Sequence, residues 1–223
     1  MRRLLAITTL GVVALLALSA CSQADLSVDA TAAVGAKPVV VAIGDSIMKG
    51  HGLPAGQAWP ALVAANNHWS LTNLACDGAG FLTTGDSNDC ANDFAGLIEE
   101  AVNLHPNLIL ISGSSNDLGV DNGALSQQTT SVVDALRSRL PNAVIVGIST
   151  VWNDTVAPDQ MDTMNEQVRT AVKSVNGIYL DIGQPLAGHR SWLQSDDVHP
   201  TATGQRKLAT AIAGALRSAK LHL

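Results

Sequence analysis

Four short segments carry side chains that can move a proton or hold a negative charge. Gly44-Asp45-Ser46 follows the apolar run Val39–Ile43. Glycine permits a tight exit from a strand, which leaves the Ser46 hydroxyl exposed at the strand's end. A helix beginning just after it aims backbone N–H groups at an anion near that hydroxyl. The alternative at this position is a serine that only caps a helix. Asp196-Asp197-Val198-His199-Pro200 stands near the C-terminus. Its three-residue spacing brings the Asp196 carboxylate to one ring nitrogen of His199 and leaves the other as an acceptor. Pro200 biases His199 toward an extended backbone, which projects the ring. Taken alone, Asp-x-x-His also fits a surface turn. Gly113-Ser114-Ser115-Asn116-Asp117 offers the two N–H donors of an Asn amide, in a place where Asn also favours turns. Asn73-Leu74-Ala75-Cys76-Asp77-Gly78-Ala79-Gly80 offers glycines that let backbone approach a bound group. A serine hydroxyl is a poor nucleophile until a base takes its proton, and histidine titrates where it can take and return one.

These segments need a frame that gathers them. The runs 39–43, 108–111 and 143–148 are continuously apolar, 178–182 is apolar but for Asp181, and 69–74 is a weaker run of the same kind. Continuous runs, rather than alternating ones, fit a parallel sheet covered on both faces. Helical stretches are expected over 58–65, 92–104, 126–140 (capped by Ser126), 159–175 and 203–219. The last puts Leu208, Ile212 and Leu216 on one stripe. Strand and helix alternate throughout, which describes a doubly wound α/β sandwich. In such a sheet ligands bind outside the carboxyl ends of the strands, where all four segments fall.

In order and placement the four segments resemble the four blocks of the SGNH (GDSL-type) hydrolase family: Gly44-Asp45-Ser46, Gly78, Asn116-Asp117 and Asp196 to His199. The resemblance covers about residues 38–220. It implies a three-layer α/β/α sandwich with a mostly parallel, five-stranded, flavodoxin-like sheet. It implies Ser46 as nucleophile, His199 as general base and Asp196 as its orienting carboxylate. The oxyanion donors would be the Ser46 N–H, the Gly78 N–H and the Asn116 side-chain amide, in a site that needs no cofactor or metal. The expected substrates are carboxylic esters, with short acyl groups such as acetyl favoured because the domain lacks long insertions. Acyl transfer to envelope carbohydrate, or cleavage of lysophospholipids or thioesters, uses the same site. A non-catalytic envelope-binding module is the reading these residues argue against. Two departures stand out. The family's Gly two residues before the Asn is Ser114 here, with Gly113 one residue earlier, so the loop shape differs. Gly80 competes with Gly78 for the second block, and Asn73, five residues before Gly78, favours the latter.

The remaining chain sets the context. The 223 residues are 47% hydrophobic and 14% charged, with a net charge of −6, which is globular and too small for two large domains. No basic cluster follows the N-terminus, which argues against a nucleic-acid partner. Arg2 and Arg3, the uncharged apolar run that follows and Leu18-Ser19-Ala20-Cys21 form an export signal over 1–20. The Leu-Ser-Ala-Cys ending resembles a bacterial lipobox, which makes Cys21 the lipidated residue; an ordinary signal peptide is the alternative. Residues 21–37 are a flexible tether and 38–223 the hydrolase domain, expected to be a monomer anchored in the cell membrane on its extracytoplasmic face. Cys76 and Cys90 fit a disulfide in an exported chain, with two free thiols the alternative. His51 can touch substrate or lie on loop surface. His68, His105, His189 and His222 lack a partner at informative spacing. Trp59 is expected in the core, Trp152 either in packing or along an acyl or alcohol pocket. Asp45 and Asp117 are expected to hold loops by hydrogen bonds.

Overall fold

The computed structural model describes residues 35–221 and 223. The signal segment 1–20, Cys21, the tether through residue 34 and His222 lie outside the described residues. The unit Ala36–Leu223 is built on five parallel strands. They are β1 (Val39–Ile43), β2 (Ser70–Asn73), β3 (Leu108–Ser112), β4 (Val144–Ile148) and β5 (Ile178–Leu180), in the order β2-β1-β3-β4-β5. The helices are α1 (Ser46–Lys49), α2 (Trp59–Asn67), α3 (Ile98–Asn103), α4 (Asn122–Arg139), α5 (Gln160–Ser174) and α6 (Ala202–Ser218).

Both faces of the central strands are dry, which is why their sequences read as unbroken apolar runs. Val40 and Ala42 of β1, with Leu108 and Leu110 of β3, pack with Trp59 and Val63 of α2 and Leu208, Ile212 and Leu216 of α6. Val41, Ile43, Ile109 and Ile111 point the other way, against Ile98 of α3, Val132 and Leu136 of α4 and Met164 and Val168 of α5. The expected stripe on the last helix is buried in full, and Trp59 is a core residue. The chain steps from β1 to β2 on one side and across to β3 on the other, so a crevice opens beyond the carboxyl ends of β1 and β3.

Two helix boundaries differ from the sequence reading. Only Ile98–Asn103 of the expected 92–104 helix is α-helical. Asn92 Nδ2 donates to the Cys90 carbonyl and Asp93 Oδ1 accepts the Gly96 N–H, and these local bonds divert the backbone into turns. The 126–140 helix starts earlier, at Asn122, because Asp121 rather than Ser126 caps it, accepting the Ala124 N–H at 2.9 Å. Cys76 and Cys90 are joined by a disulfide, which closes the loop after β2.

Candidate active site

Ser46 is the first residue of α1, and Asp45 is the cap: its Oδ1 accepts the Ile47 N–H at 3.0 Å. Gly44 is required where strand turns directly into helix, since a Cβ there would lie 2.5 Å from the Met48 sulfur. The expectation that Ser46 is exposed is corrected. It is 7% exposed, because the Gln194–His199 segment folds back across it from the far end of the chain.

That segment is pinned at its base. Leu193 and Pro200 form an antiparallel bridge, the Gln194 N–H donates to the His199 carbonyl at 2.7 Å, and the Thr201 N–H to the Trp192 carbonyl at 2.7 Å. Within it, Asp196 Oδ1 accepts the N–H groups of Val198 and His199, each at 3.0 Å. Its Oδ2 lies 2.8 Å from His199 Nδ1, and His199 Nε2 lies 2.9 Å from Ser46 Oγ. A carboxylate only accepts, so the ring proton sits on Nδ1 and Nε2 keeps a lone pair for the serine proton. Partial burial works to raise the Asp196 carboxyl, but the His199 ring and the two backbone donors outweigh it and hold it well below the ordinary range. It is therefore ionised at neutral pH. Burial pushes the Asp45 carboxyl up, against hydrogen bonds from Ser114, Ile47 and Met48 and the charge of His199.

The three other loops are tied to one carbonyl. Ser114 Oγ lies 3.0 Å from Asp45 Oδ2 and 2.8 Å from the Ala79 carbonyl, with its one hydrogen shared between the two acceptors. Asn116 Nδ2 donates to the same carbonyl at 3.0 Å, which leaves its second amide hydrogen free. Ser114, where the family pattern has glycine, is thus the cross-link between the ends of β1, β2 and β3. It is 1% exposed, so the departure reshapes the loop without opening it. Gly113 can only be glycine, since a Cβ would collide with Thr150. Gly78 has φ +75°, and among the described residues its N–H donates to no protein group. The Gly80 N–H, in contrast, is committed to the Thr83 carbonyl at 2.8 Å.

Asp117 holds the loop after β2 as expected. Its carboxylate accepts the N–H groups of Phe81, Leu82 and Thr83 and the Thr83 hydroxyl, at 2.7–3.1 Å. Trp152 is partly buried in the core, with its indole N–H on Thr155. His189 stacks on Trp192, and His68 is the left-handed cap of α2. The sequence reading left His51 open; its ring stacks on His199. It did not find Ser114, Asp77 or Gln194, and the only signal was the serine standing in a glycine position. Among the described residues no group of three or more His, Cys, Asp or Glu side chains is placed to hold a metal ion.

The parallel sheet, its strand order and the segments gathered at its carboxyl edge define an SGNH hydrolase fold. Residues 42–207 match the model of the GDSL-like Lipase/Acylhydrolase family, and the chain belongs to that family. It is a carboxylic ester hydrolase by class. A GDSL lipase of Mycobacterium tuberculosis is 28% identical over 193 residues, covering 79% of this chain and 80% of that protein. The psychrotrophic esterase EstA from Pseudoalteromonas superposes with a TM-score of 0.63 at 16% identity, over 82% of this chain and 98% of the other. A family two carbohydrate esterase from Cellvibrio japonicus gives 0.65 at 17% identity, over 82% and 62%.

Proposed function

We propose that the protein cleaves carboxylic esters through an acyl-enzyme, with Ser46 as nucleophile, His199 as general base and Asp196 as the group that orients the imidazole. The observation that carries this reading is the unbroken chain Asp196–His199–Ser46, with links of 2.8 and 2.9 Å. Ser46 Oγ attacks the acyl carbon as its proton passes to His199 Nε2. The resulting oxyanion takes N–H donors from Ser46, Gly78 and the Asn116 amide. Each has a free hydrogen: the first N–H of a helix has no intrahelical partner, and those of Gly78 and Asn116 are described above. The intermediate expels the alcohol, which takes the proton from Nε2. Water then repeats the sequence and releases the acid.

Short acyl groups, such as acetyl on an envelope polysaccharide, are the proposed substrates. In support, the two longest connections bury large side chains in the core (Phe81 and Phe94 in one, Leu186 and Leu193 in the other), and Val198 is the one large apolar side chain they expose among the described residues. The chain is further proposed to be an exported monomer, lipidated at Cys21 and anchored to the extracytoplasmic face of the cell membrane. The support is the signal pattern of residues 1–20 and the cysteine that ends it. Loss of lipid labelling in Cys21→Ala tests the anchor.

The test of mechanism is an organophosphonate. One adduct on the Ser46 peptide, absent from Ser46→Ala, is expected; an unmodified Ser46 overturns the assignment. A panel of acetyl to palmitoyl oxygen esters and thioesters, with sugars as competing acceptors, tests the substrate. An optimum at long chains, a preference for thioesters, or acylated sugar as the main product rejects short-ester hydrolysis.

A further inference from the structure

We propose that His51 is a positioning residue for His199, clamped by Asp77 and Gln194. The proposal rests on the reading of Ser46 and His199 given above. Two in-plane bonds, to Asp196 and Ser46, leave the His199 ring free to tilt about the line that joins them. A flat neighbour on its face removes that freedom. The His51 ring is that neighbour, with centroids 4.2 Å apart and planes at 30°.

His51 is itself held from three sides. Its N–H donates to the Ser46 carbonyl at 3.0 Å. Its Nδ1 lies 2.8 Å from Asp77 Oδ2. Its carbonyl accepts Gln194 Nε2 at 2.7 Å, and the same amide donates to the Pro200 carbonyl at 3.1 Å. Gln194 thereby ties the His51 turn to the segment that carries His199. Asp77 is fixed in turn, because it follows the disulfide residue Cys76 and its N–H donates to Asp89 Oδ2 at 2.8 Å.

The charged groups around the pair come from every neighbouring element. Lys49 of α1 pairs with Asp77 and Asp89 of the loop after β2. Asp45 lies buried beneath Ser46, and Asp196 holds the far edge of His199. Asp197 is paired with Arg190. The ion pairs of Lys49 fix Asp77, and the Asp77 carboxylate in turn holds the His51 ring against the imidazole.

The experiment measures kcat and KM for the wild type, His51→Ala and His51→Phe. The His51 side chain is 43% exposed, so both variants are expected to fold, and their unfolding midpoints are measured to check it. His51→Ala is expected to lose about tenfold in kcat with KM little changed, because the ring is no longer braced. His51→Phe restores the flat face and should recover most of kcat. Wild-type kcat in His51→Ala, an effect confined to KM, or no recovery of kcat in His51→Phe overturns the proposal. Phosphonate labelling of Ser46 in the wild type separates the two readings. If it fails, both fall; if it succeeds while the variants behave as wild type, only the role of His51 falls.

Discussion

Replacing Asp117 by alanine should loosen the site before it touches any reacting group. The side chain is fully buried and accepts three backbone N–H groups and one hydroxyl from the Phe81–Thr83 segment. The Thr83 hydroxyl keeps a second acceptor, the Asn116 carbonyl at 2.9 Å, so it loses little. The Phe81 N–H is buried and forfeits its only partner, at a cost of about 2–3 kcal/mol. The Leu82 and Thr83 N–H groups are only part-buried and can turn to water, so each adds about 0.5–1 kcal/mol. The sum is about 4 kcal/mol, a large share of the roughly 5–15 kcal/mol that holds a domain together. Urea unfolding should show that loss, and the melting midpoint should fall by roughly 10 °C. Asp117→Asn keeps an oxygen for the two outer N–H groups but turns an amide against Phe81, so it should lose about half as much. The loop it anchors also carries Gly78 and the Ala79 carbonyl, so activity should decline along with stability. If Asp117→Ala lies within about 1 kcal/mol of the wild type, the carboxylate is not the anchor described here.

Asn116→Ala removes one proposed oxyanion donor and should lower kcat on the order of 100-fold with KM little changed; a rate within threefold of wild type, measured at saturating ester, contradicts the role. Asp196 has a depressed carboxyl, so its contribution to stability is in full force above the unfolded value of about 3.9 and is lost as pH falls below it. Activity should therefore fade first with protonation of histidine, and the fold should yield only at lower pH; a pH titration in which both vanish together refutes that order. Reduction of the Cys76–Cys90 disulfide opens a loop of 14-residue separation and should reduce stability by about 3 kcal/mol. It should also slow turnover at temperatures where the protein stays folded, since Asp77 and Gly78 follow Cys76; unchanged kinetics after reduction rule out this link.

The strands of the core were legible because burial on both faces leaves an unbroken apolar run, as in Val39–Ile43 and Leu108–Ser112. The edge strand β2 was faint, since its residues are only partly covered. Asp121 was missed as a cap because the apolar stripe of α4 begins later, at Leu125. The triad-like residues could be read from their types, their spacing and their place at strand ends. Their surroundings could not. Ser114 bridges three loops, and Gln194 reaches His51 across 143 residues, and no local periodicity encodes such contacts. The burial of Ser46 was misjudged for the same reason: the group that covers it arrives from elsewhere in the chain.

The contact between Ser46 and His199 spans 153 residues. On the proposed mechanism the hydroxyl emerges during synthesis long before the imidazole that would activate it, and a polypeptide that stops short of His199 would be inert toward esters. The same separation makes the molecule divisible. A cut in the loop at Val156, a residue 94% exposed, would leave two pieces that each lack one of the two side chains, and ester cleavage would report their reunion.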